Sequence, residues 1–289
     1  MAYRQSPIPI TARRIVPEMR FAKEKSYMPR ADVAKDSFSH FDSIIDVLFS
    51  NASEEFLRSA ISREEGLFLR ELASQTDVRK TIEVGCANGV STLYICAGLS
   101  SKHNVSHTAI DPFQDSEYQG RSVDSIRRTG FHFFQLIEQP SKIALPALLM
   151  KGERYDLALI DGLHTADQAL VDFYYLDRMV QPGGIIVFDD VHSQAVTKIV
   201  HYVWTYPNYQ LVGTCGRRGI RRRLLNTLKQ ITSMALWPVK QSFGEAIFRE
   251  FVDIWLLQSE TLWTIDSCTM IAFQKIADYS RDTNWYRGI

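Results

Sequence analysis

Acidic residues follow two apolar runs of the chain, at the points where strands are predicted to end. Asp161 follows the run 157–160, and Asp189 and Asp190 follow the run 185–188. Neighbouring parallel strands end at the same edge of a sheet, so these three carboxylates should lie close together. Like charges at short range either take up protons or share a cation, and an oxygen-only cluster suits a hard divalent ion such as Mg²⁺. The alternative for the acid pair is a solvated turn.

A further acid precedes a glycine-containing turn nearer the N-terminus. Glu83 lies in the β-branched run 81–84, where a buried carboxylate is costly unless a ligand or a hydrogen-bond donor compensates it. Gly85 and Gly89 bracket the turn before an apolar helix, and glycines there let the backbone approach a bound molecule closely. Asp111 ends the next predicted strand, where Rossmann-like folds place an acid on ribose hydroxyls. The segment is either a nucleoside pocket or an ordinary strand–turn–helix with a solvated Glu83.

The spacing of these glycines, Gly-x-x-x-Gly, differs from the Gly-x-Gly-x-x-Gly pattern of dinucleotide binders, so a nucleoside without a pyrophosphate fits better. The motif EVGCANG, residues 83–89, resembles the first motif of class I methyltransferases, which use S-adenosylmethionine. This resemblance implies that Glu83 and the loop from Gly85 to Gly89 hold the methionine end of the cofactor. It also implies that Asp111 binds the ribose.

The segment 155–192 narrows the resemblance to metal-assisted small-molecule O-methyltransferases of the catechol type and the macrolide-sugar type. Its IDGxH motif, followed by a Pro-Gly-Gly, a strand and two aspartates, is typical of their bacterial members. The resemblance implies that Asp161, Asp189 and Asp190 bind the metal. The alternative is that one residue of the adjacent pair supports the other ligands without binding the metal itself. Asp161 is also expected to be one of the residues that bind the cofactor.

Three more polar residues have a functional and a structural interpretation. His164 stands three positions after Asp161, where the catechol-type enzymes carry a catalytic lysine; it either accepts the proton of the methyl acceptor or caps the next helix. Asp161 is the alternative base. Ser141 stands five positions before Pro146, as an adenine-contacting serine does in the catechol-type enzymes, and its alternative is a helix N-cap. His192 either reaches the metal or substrate, or caps a helix that begins at the next residue.

The composition favours a single α/β domain. The chain has 289 residues, of which 45% are hydrophobic, enough for one large core with accessory helices. Its formal net charge is zero, so no global charge directs it to nucleic acid. The four cysteines show no metal or disulfide spacing, which fits a reducing compartment. Without a signal-peptide pattern or an 18-residue apolar segment, we expect a cytoplasmic protein that does not cross a membrane.

The predicted organisation has an irregular segment over residues 1–35 and a methyltransferase domain over residues 36–289. Within that domain, residues 36–80 form leading helices, with apolar residues at helical spacing in the ranges 38–48 and 54–72. Residues 217–266 form an insertion before a terminal antiparallel strand at residues 269–275.

The insertion begins with a basic amphipathic stretch. Residues 217–240 carry seven lysines and arginines and no acid, with apolar residues near helical spacing. The apolar stripe either docks on the domain with its arginines solvated, or the stretch contacts a membrane surface or an acidic partner. A third interpretation is recognition of a phosphate-bearing acceptor, such as a nucleotide sugar or a lipid-linked glycan.

Taken together, the resemblance implies a Rossmann-like doubly wound sheet of seven strands in the order 3-2-1-4-5-7-6, with the last strand antiparallel. The expected activity is methyl transfer from S-adenosylmethionine to a hydroxyl group of a small molecule, a sugar or a secondary metabolite, assisted by Mg²⁺. Two rivals stay open: a nicotinamide-dependent oxidoreductase, and a non-catalytic or lipid-linked-glycan-directed protein at the membrane periphery. A homo-oligomer stays open as well.

Overall fold

The computed structural model describes residues 39–50, 53–216 and 268–278, and a seven-stranded sheet lies at its centre. The strands are β1 Lys80–Val84, β2 Ser106–Ile110, β3 Phe134–Ile137, β4 Tyr155–Ile160, β5 Val180–Phe188, β6 Tyr209–Cys215 and β7 Met270–Lys275. Their order is β3-β2-β1-β4-β5-β7-β6, and β7 is antiparallel to both of its neighbours. The predicted fold class and strand order are therefore confirmed.

Helices cover both faces of this sheet. They are α1 Ser39–Ser50, α2 Glu54–Ser59, α3 Arg63–Ser74, α4 Val90–Leu99, α5 Arg121–Thr129, α6 Ser141–Met150, α7 Ala166–Met179 and α8 Gln194–Trp204. Successive side chains of a strand point to opposite faces, so Ala158 and Ile160 of β4 pack with α6, α7 and α8. Leu157 and Leu159 pack on the other face, with α3 and α4. The sheet is thus buried on both sides, as its apolar strands require.

The leading helical region differs from the prediction of one helix over residues 54–72. The chain forms α2 and α3, separated by Ala60, whose backbone is extended. Ser62 caps α3, because its side chain accepts from the Glu65 amide while the Glu65 carboxylate accepts from the Ser62 amide at 2.7 Å. This reciprocal cap satisfies backbone donors that a helix start leaves without partners. The helical spacing of the apolar residues continues across this break, so the spacing alone predicts one helix where the chain forms two.

Two strand boundaries also differ from expectation. The aromatic and apolar run 131–137 indicates a strand of seven residues, but β3 begins only at Phe134. The Pro-Gly-Gly predicted to separate a helix from the fifth strand lies within β5, where Val180 pairs with Tyr155 before the register shifts. The predicted segments 1–35 and 217–266 lie outside the described residues. Within the described part of the chain, no helix has the length and apolar character needed to cross a membrane.

The residue that follows each of four strands is held at the carboxyl edge of the sheet by a backbone hydrogen bond. In every case its amide donates to the last carbonyl of a neighbouring strand, at 2.9 to 3.1 Å. The pairs are Gly85 with Ile110, Asp111 with Ile137, Asp161 with Val84, and Asp189 with Ile160. The ladder therefore extends one residue past each strand, and it fixes the backbone positions of the predicted site residues.

Candidate active site

Side chains from the ends of β4 and β5 meet at this edge. One ligand atom from each of Asp161, His164 and Asp190 lies within 4.8 Å of the other two. Asp190 has a φ of 49°, in the left-handed region that aspartate tolerates better than most residues. The chain therefore turns directly after β5 and does not continue in the extended conformation of the strand. The structure thus brings two of the three predicted acids together with the predicted basic residue.

Asp190 lies between two histidines. His164 Nε2 is 3.0 Å from its Oδ2, and His192 Nδ1 is 3.2 Å from its Oδ1. The hydrogen bond from His164, supported by the charges of both imidazoles, lowers the pKa of Asp190 below its usual value despite partial burial. Neither histidine takes the alternative capping position, because the N-caps of α7 and α8 are Thr165 and Ser193.

The pKa of the Asp161 carboxyl group is shifted in the opposite direction to that of Asp190. Desolvation, and then the neighbouring carboxylates of Asp189 and Asp190, raise its pKa well above the ordinary value. A divalent cation among these oxygens would relieve both effects, so the site fits a metal ion. Two carboxylates suit Mg²⁺ or Mn²⁺, and the imidazole of His164 would favour a transition ion only if one of its nitrogens bound the metal.

Asp189, predicted as a third metal ligand, is not part of this cluster. Its side chain is only 7% exposed, and its Oδ1 accepts the Asp190 amide at 2.7 Å. Burial and the nearby Glu65 carboxylate raise its pKa well above the usual range. Glu65, on α3, also accepts a hydrogen bond from Thr269 at the start of the β7 region. The sequence analysis missed Glu65, because no local pattern links it to Asp189.

The two glycines of the turn after β1 make room for the protein itself. Gly85 has a φ of +90°, and a Cβ there would overlap the carbonyl oxygen of Asp161. Gly89 has a φ of +78°, and a Cβ there would lie 2.8 Å from Cβ of Ser122. Both positions require glycine, as predicted, but in this structure the space is taken by protein rather than by a ligand. The glycine loop and the Asp161 backbone are therefore in direct contact.

Asp111 organises the same loop from the end of β2. Its Oδ2 accepts the amides of Cys86 and Ala87 at 3.0 and 2.7 Å, and its Oδ1 accepts the Phe113 amide at 2.8 Å. Gln114, which sequence reasoning missed, donates to the carbonyl of Ala87 at 2.8 Å. The predicted contact of Asp111 with a ribose stays a prediction, and the carboxylate has a structural role beside it.

Glu83 is fully enclosed, at 0% exposure, beneath α4. Its Oε1 accepts a hydrogen bond from Thr92 and lies 3.2 Å from His107 Nε2, while Oε2 has no hydrogen-bond partner among the described residues. A buried acid was expected to need a hydrogen-bond donor, and the protein's own side chains provide it. The structure does not expose Glu83 to a cofactor, so its predicted hold on the methionine end would have to act through the loop.

Ser141 is the first residue of α6, and it does not cap that helix, since the N-cap position is Pro140 and no side chain caps it. Its Oγ instead accepts a hydrogen bond from Gln168 on α7 at 2.8 Å. Gln168 also donates to Oδ1 of Asp172 at 2.9 Å. The capping alternative is thus wrong, and the adenine contact stays a prediction.

Comparison with protein families and curated proteins gives a consistent result for this part of the chain. Residues 82–191 match a family model described as a methyltransferase domain. A catechol O-methyltransferase of Mycobacterium tuberculosis is 24% identical over 190 residues, which cover 60% of this chain and 82% of that protein.

Solved structures give the same fold. An O-methyltransferase from Bacillus cereus in complex with SAH has a TM-score of 0.51 at 18% identity, over 63% of this chain and 85% of that one. The O-methyltransferase TomG from Streptomyces achromogenes in complex with SAM has a TM-score of 0.50 at 16% identity, over 60% of this chain and 81% of that one. At these identities the likeness concerns the fold alone.

Proposed function

We propose that the chain is a class I S-adenosylmethionine-dependent methyltransferase, and that it transfers the methyl group to a hydroxyl of a small molecule with the help of a divalent cation. The observation that carries this proposal is the convergence of Asp161, His164 and Asp190 at the carboxyl edge of the sheet. The Gly-x-x-x-Gly spacing of the loop argues against the alternative of a nicotinamide-dependent oxidoreductase.

We assign the cation to the carboxylates of Asp161 and Asp190. A bound divalent ion would lower the pKa of a coordinated hydroxyl and so make an oxygen nucleophile available near neutral pH. The raised pKa of Asp161 supports this assignment, because uncompensated carboxylates at this spacing destabilise one another. Held on that edge, the acceptor oxygen and the methyl donor meet in a fixed orientation, which is the main contribution a protein makes to a bimolecular displacement.

We assign the proton of the acceptor to His164. Its Nε2 lies 3.0 Å from the Asp190 carboxylate, so an Nε2–H would donate there and leave the Nδ1 lone pair as the proton acceptor. Asp190 would then orient the base as well as bind the cation. Asp161 remains the alternative base, and it is disfavoured because a carboxylate bound to a cation is a weaker proton acceptor.

The acceptor class rests on two observations. The relative from M. tuberculosis carries catechol in its name, and a flavonoid 3',5'-methyltransferase of Vitis vinifera is 30% identical over 133 residues, which cover 53% of that protein. Leu163, between Asp161 and His164, is 61% exposed and offers an apolar surface to an organic substrate. We therefore propose a small hydroxylated organic molecule, a sugar or a secondary metabolite.

The test is transfer of a labelled methyl group from S-adenosylmethionine to a panel of host metabolites, with Mg²⁺, with Mn²⁺ and with a chelator. We expect Asp161→Asn and Asp190→Asn each to lower transfer by at least ~100-fold. Affinity for S-adenosylhomocysteine should stay within about threefold of the wild type, since asparagine keeps the size of the side chain and one of its acceptor oxygens. Asp167→Asn, on the exposed first turn of α7, is the matched control and should transfer normally. Full activity of both site variants in chelator would refute the metal-assisted mechanism.

A further inference from the structure

Helix α7 exposes apolar side chains on the side that does not pack on the sheet. Leu170, Val171 and Tyr174 are 40%, 37% and 47% exposed. Their spacing of three or four residues places them on one stripe of the helix surface. Asp167 stands at one end of this stripe and Arg178 at the other, where its guanidinium packs over the Tyr174 ring. We call these five residues the outer stripe of α7; an apolar surface with a charged rim is typical of a site that another segment covers.

The chain leaves the sheet beside the C-terminal end of α7. Lys275, at the end of β7, donates from Nζ to the carbonyls of Asp177 and Val180 at 2.8 and 3.1 Å. The same ammonium group pairs with Asp278 at 2.8 Å. Because Lys275 is buried, it fixes the point of exit. Residues 279–289, which lie outside the described residues, therefore begin next to the C-terminal end of the outer stripe.

The composition of residues 279–289 matches this stripe. The segment carries Trp285 and Tyr286 between two charges, Asp282 and Arg287. Followed from the point of exit toward the N-terminal end of α7, the stripe presents a positive and then a negative charge. The segment presents a negative and then a positive one in the same direction. Complementary charges at both ends favour one orientation and one register.

The lengths of the two parts also agree. The two charges of the outer stripe are 11 positions apart, or about 16 Å at a helical rise of about 1.5 Å per residue. Asp282 and Arg287 are five positions apart, which is also about 16 Å in an extended chain. With these charges paired, Trp285 lies about 10 Å beyond Asp282, a distance that places it opposite Val171. The aromatic pair then meets the apolar middle of the stripe.

We propose that residues 279–289 dock in an extended conformation along the outer stripe of α7, antiparallel to the helix. Trp285 and Tyr286 cover its apolar middle, and the two charge pairs form at its ends. Apolar surface on both parts is removed from water, which favours the docked state. The stripe thus serves the chain itself and not a second protein or a membrane. Docking of this kind does not depend on which reaction the chain catalyses.

The rate of thiol labelling measures this docking in the full chain. All four native cysteines are buried, so Val171→Cys adds an accessible thiol on the stripe. A maleimide should label it at least about tenfold more slowly than in the same chain that also carries Trp285→Ser and Tyr286→Ser, because the docked segment must first detach. Met150→Cys on α6, at a position that is 87% exposed, is the matched control. Its labelling rate should not respond to the two serine substitutions.

A second measurement tests the register. In a chain with Val171→Cys and Trp285→Cys, mild oxidation should form a disulfide within one chain. This disulfide should form at least about fivefold faster than in a chain with Val171→Cys and Ser280→Cys, whose second thiol lies five positions away.

Three results would overturn the proposal. The first is an equal labelling rate of Val171→Cys with and without the two serine substitutions, since the segment would then leave the stripe uncovered. The second is protection that grows with protein concentration, because a second copy of the chain would then be the occupant. The third is an equal rate of disulfide formation for the two cysteine pairs, which would contradict the extended antiparallel register.

Discussion

Replacing Asp172 by asparagine should change how the stability of the protein depends on pH. Burial raises the pKa of Asp172 from 3.8 to about 6, against the opposing hydrogen bond from Gln168. Between these two values the folded protein holds a proton that the unfolded chain has released. The free energy of unfolding contributed by this group is therefore fully present below about pH 4 and is lost as the pH rises through about 6.

The magnitude follows from the size of the shift. A difference of about two pKa units corresponds to about 3 kcal/mol between the two ends of the window. Asparagine does not titrate, so the variant lacks this loss. Relative to the wild type, the free energy of unfolding of Asp172→Asn should rise by up to about 3 kcal/mol between pH 4 and pH 7.

Urea denaturation of both proteins at intervals of half a pH unit measures this difference. Asp167→Asn is the control with the opposite sign, because hydrogen bonds from Thr165 and the Gln168 amide lower the pKa of that exposed carboxyl. Because this pKa is lowered from 3.8, the stability of Asp167→Asn relative to the wild type should fall slightly just above pH 4 and then stay flat, and it should not rise toward pH 7. A difference between Asp172→Asn and wild type that stays flat from pH 4 to pH 7 would refute the claim that burial destabilises the charged form.

Two further substitutions test the contacts around the glycine loop. Gly85→Ala should destabilise the protein by about 3 kcal/mol or more, because alanine is strained at this φ and its Cβ would overlap the Asp161 carbonyl. At Gly152 a Cβ would meet no atom within 4 Å, so Gly152→Ala should cost only about 1 kcal/mol. Equal midpoints of thermal unfolding for the two variants would count against the close approach of Gly85 to Asp161. Thr92→Val should cost about 2 kcal/mol, because it removes the hydroxyl that donates to the buried carboxylate of Glu83. An unchanged urea midpoint for Thr92→Val would mean that this hydrogen bond contributes nothing.

The carboxyl edge of the sheet could be predicted because it depends on patterns that are local in sequence. Apolar runs followed by single acids gave the strand ends, and the backbone ladder then places Asp111, Asp161 and Asp189 at one edge. The strand order followed from the resemblance to a known family and not from the residues alone. It was confirmed through the whole described sheet.

The direction of each side chain at that edge could not be predicted in the same way. Asp190 enters the cluster and Asp189 turns inward because the backbone at Asp190 takes a positive φ, which no residue pattern around it signals. Glu83 likewise finds its partners on a helix and on the next strand, nine and 24 residues away. Such pairings depend on tertiary packing, so a sequence indicates that a buried acid needs a partner but not which one it has.

The carboxylate of Asp111, with the amides of Cys86 and Ala87 bound to one of its oxygens, has a consequence for affinity. These hydrogen bonds hold the turn between the glycines in one conformation without the help of a bound nucleoside. Preorganisation of this kind reduces the entropy lost on association, so more of the intrinsic contact energy is expressed as binding strength. If a nucleoside binds this site weakly, the cause should then be poor contacts between the nucleoside and the protein. The entropic cost of ordering the loop should contribute little to the weak binding.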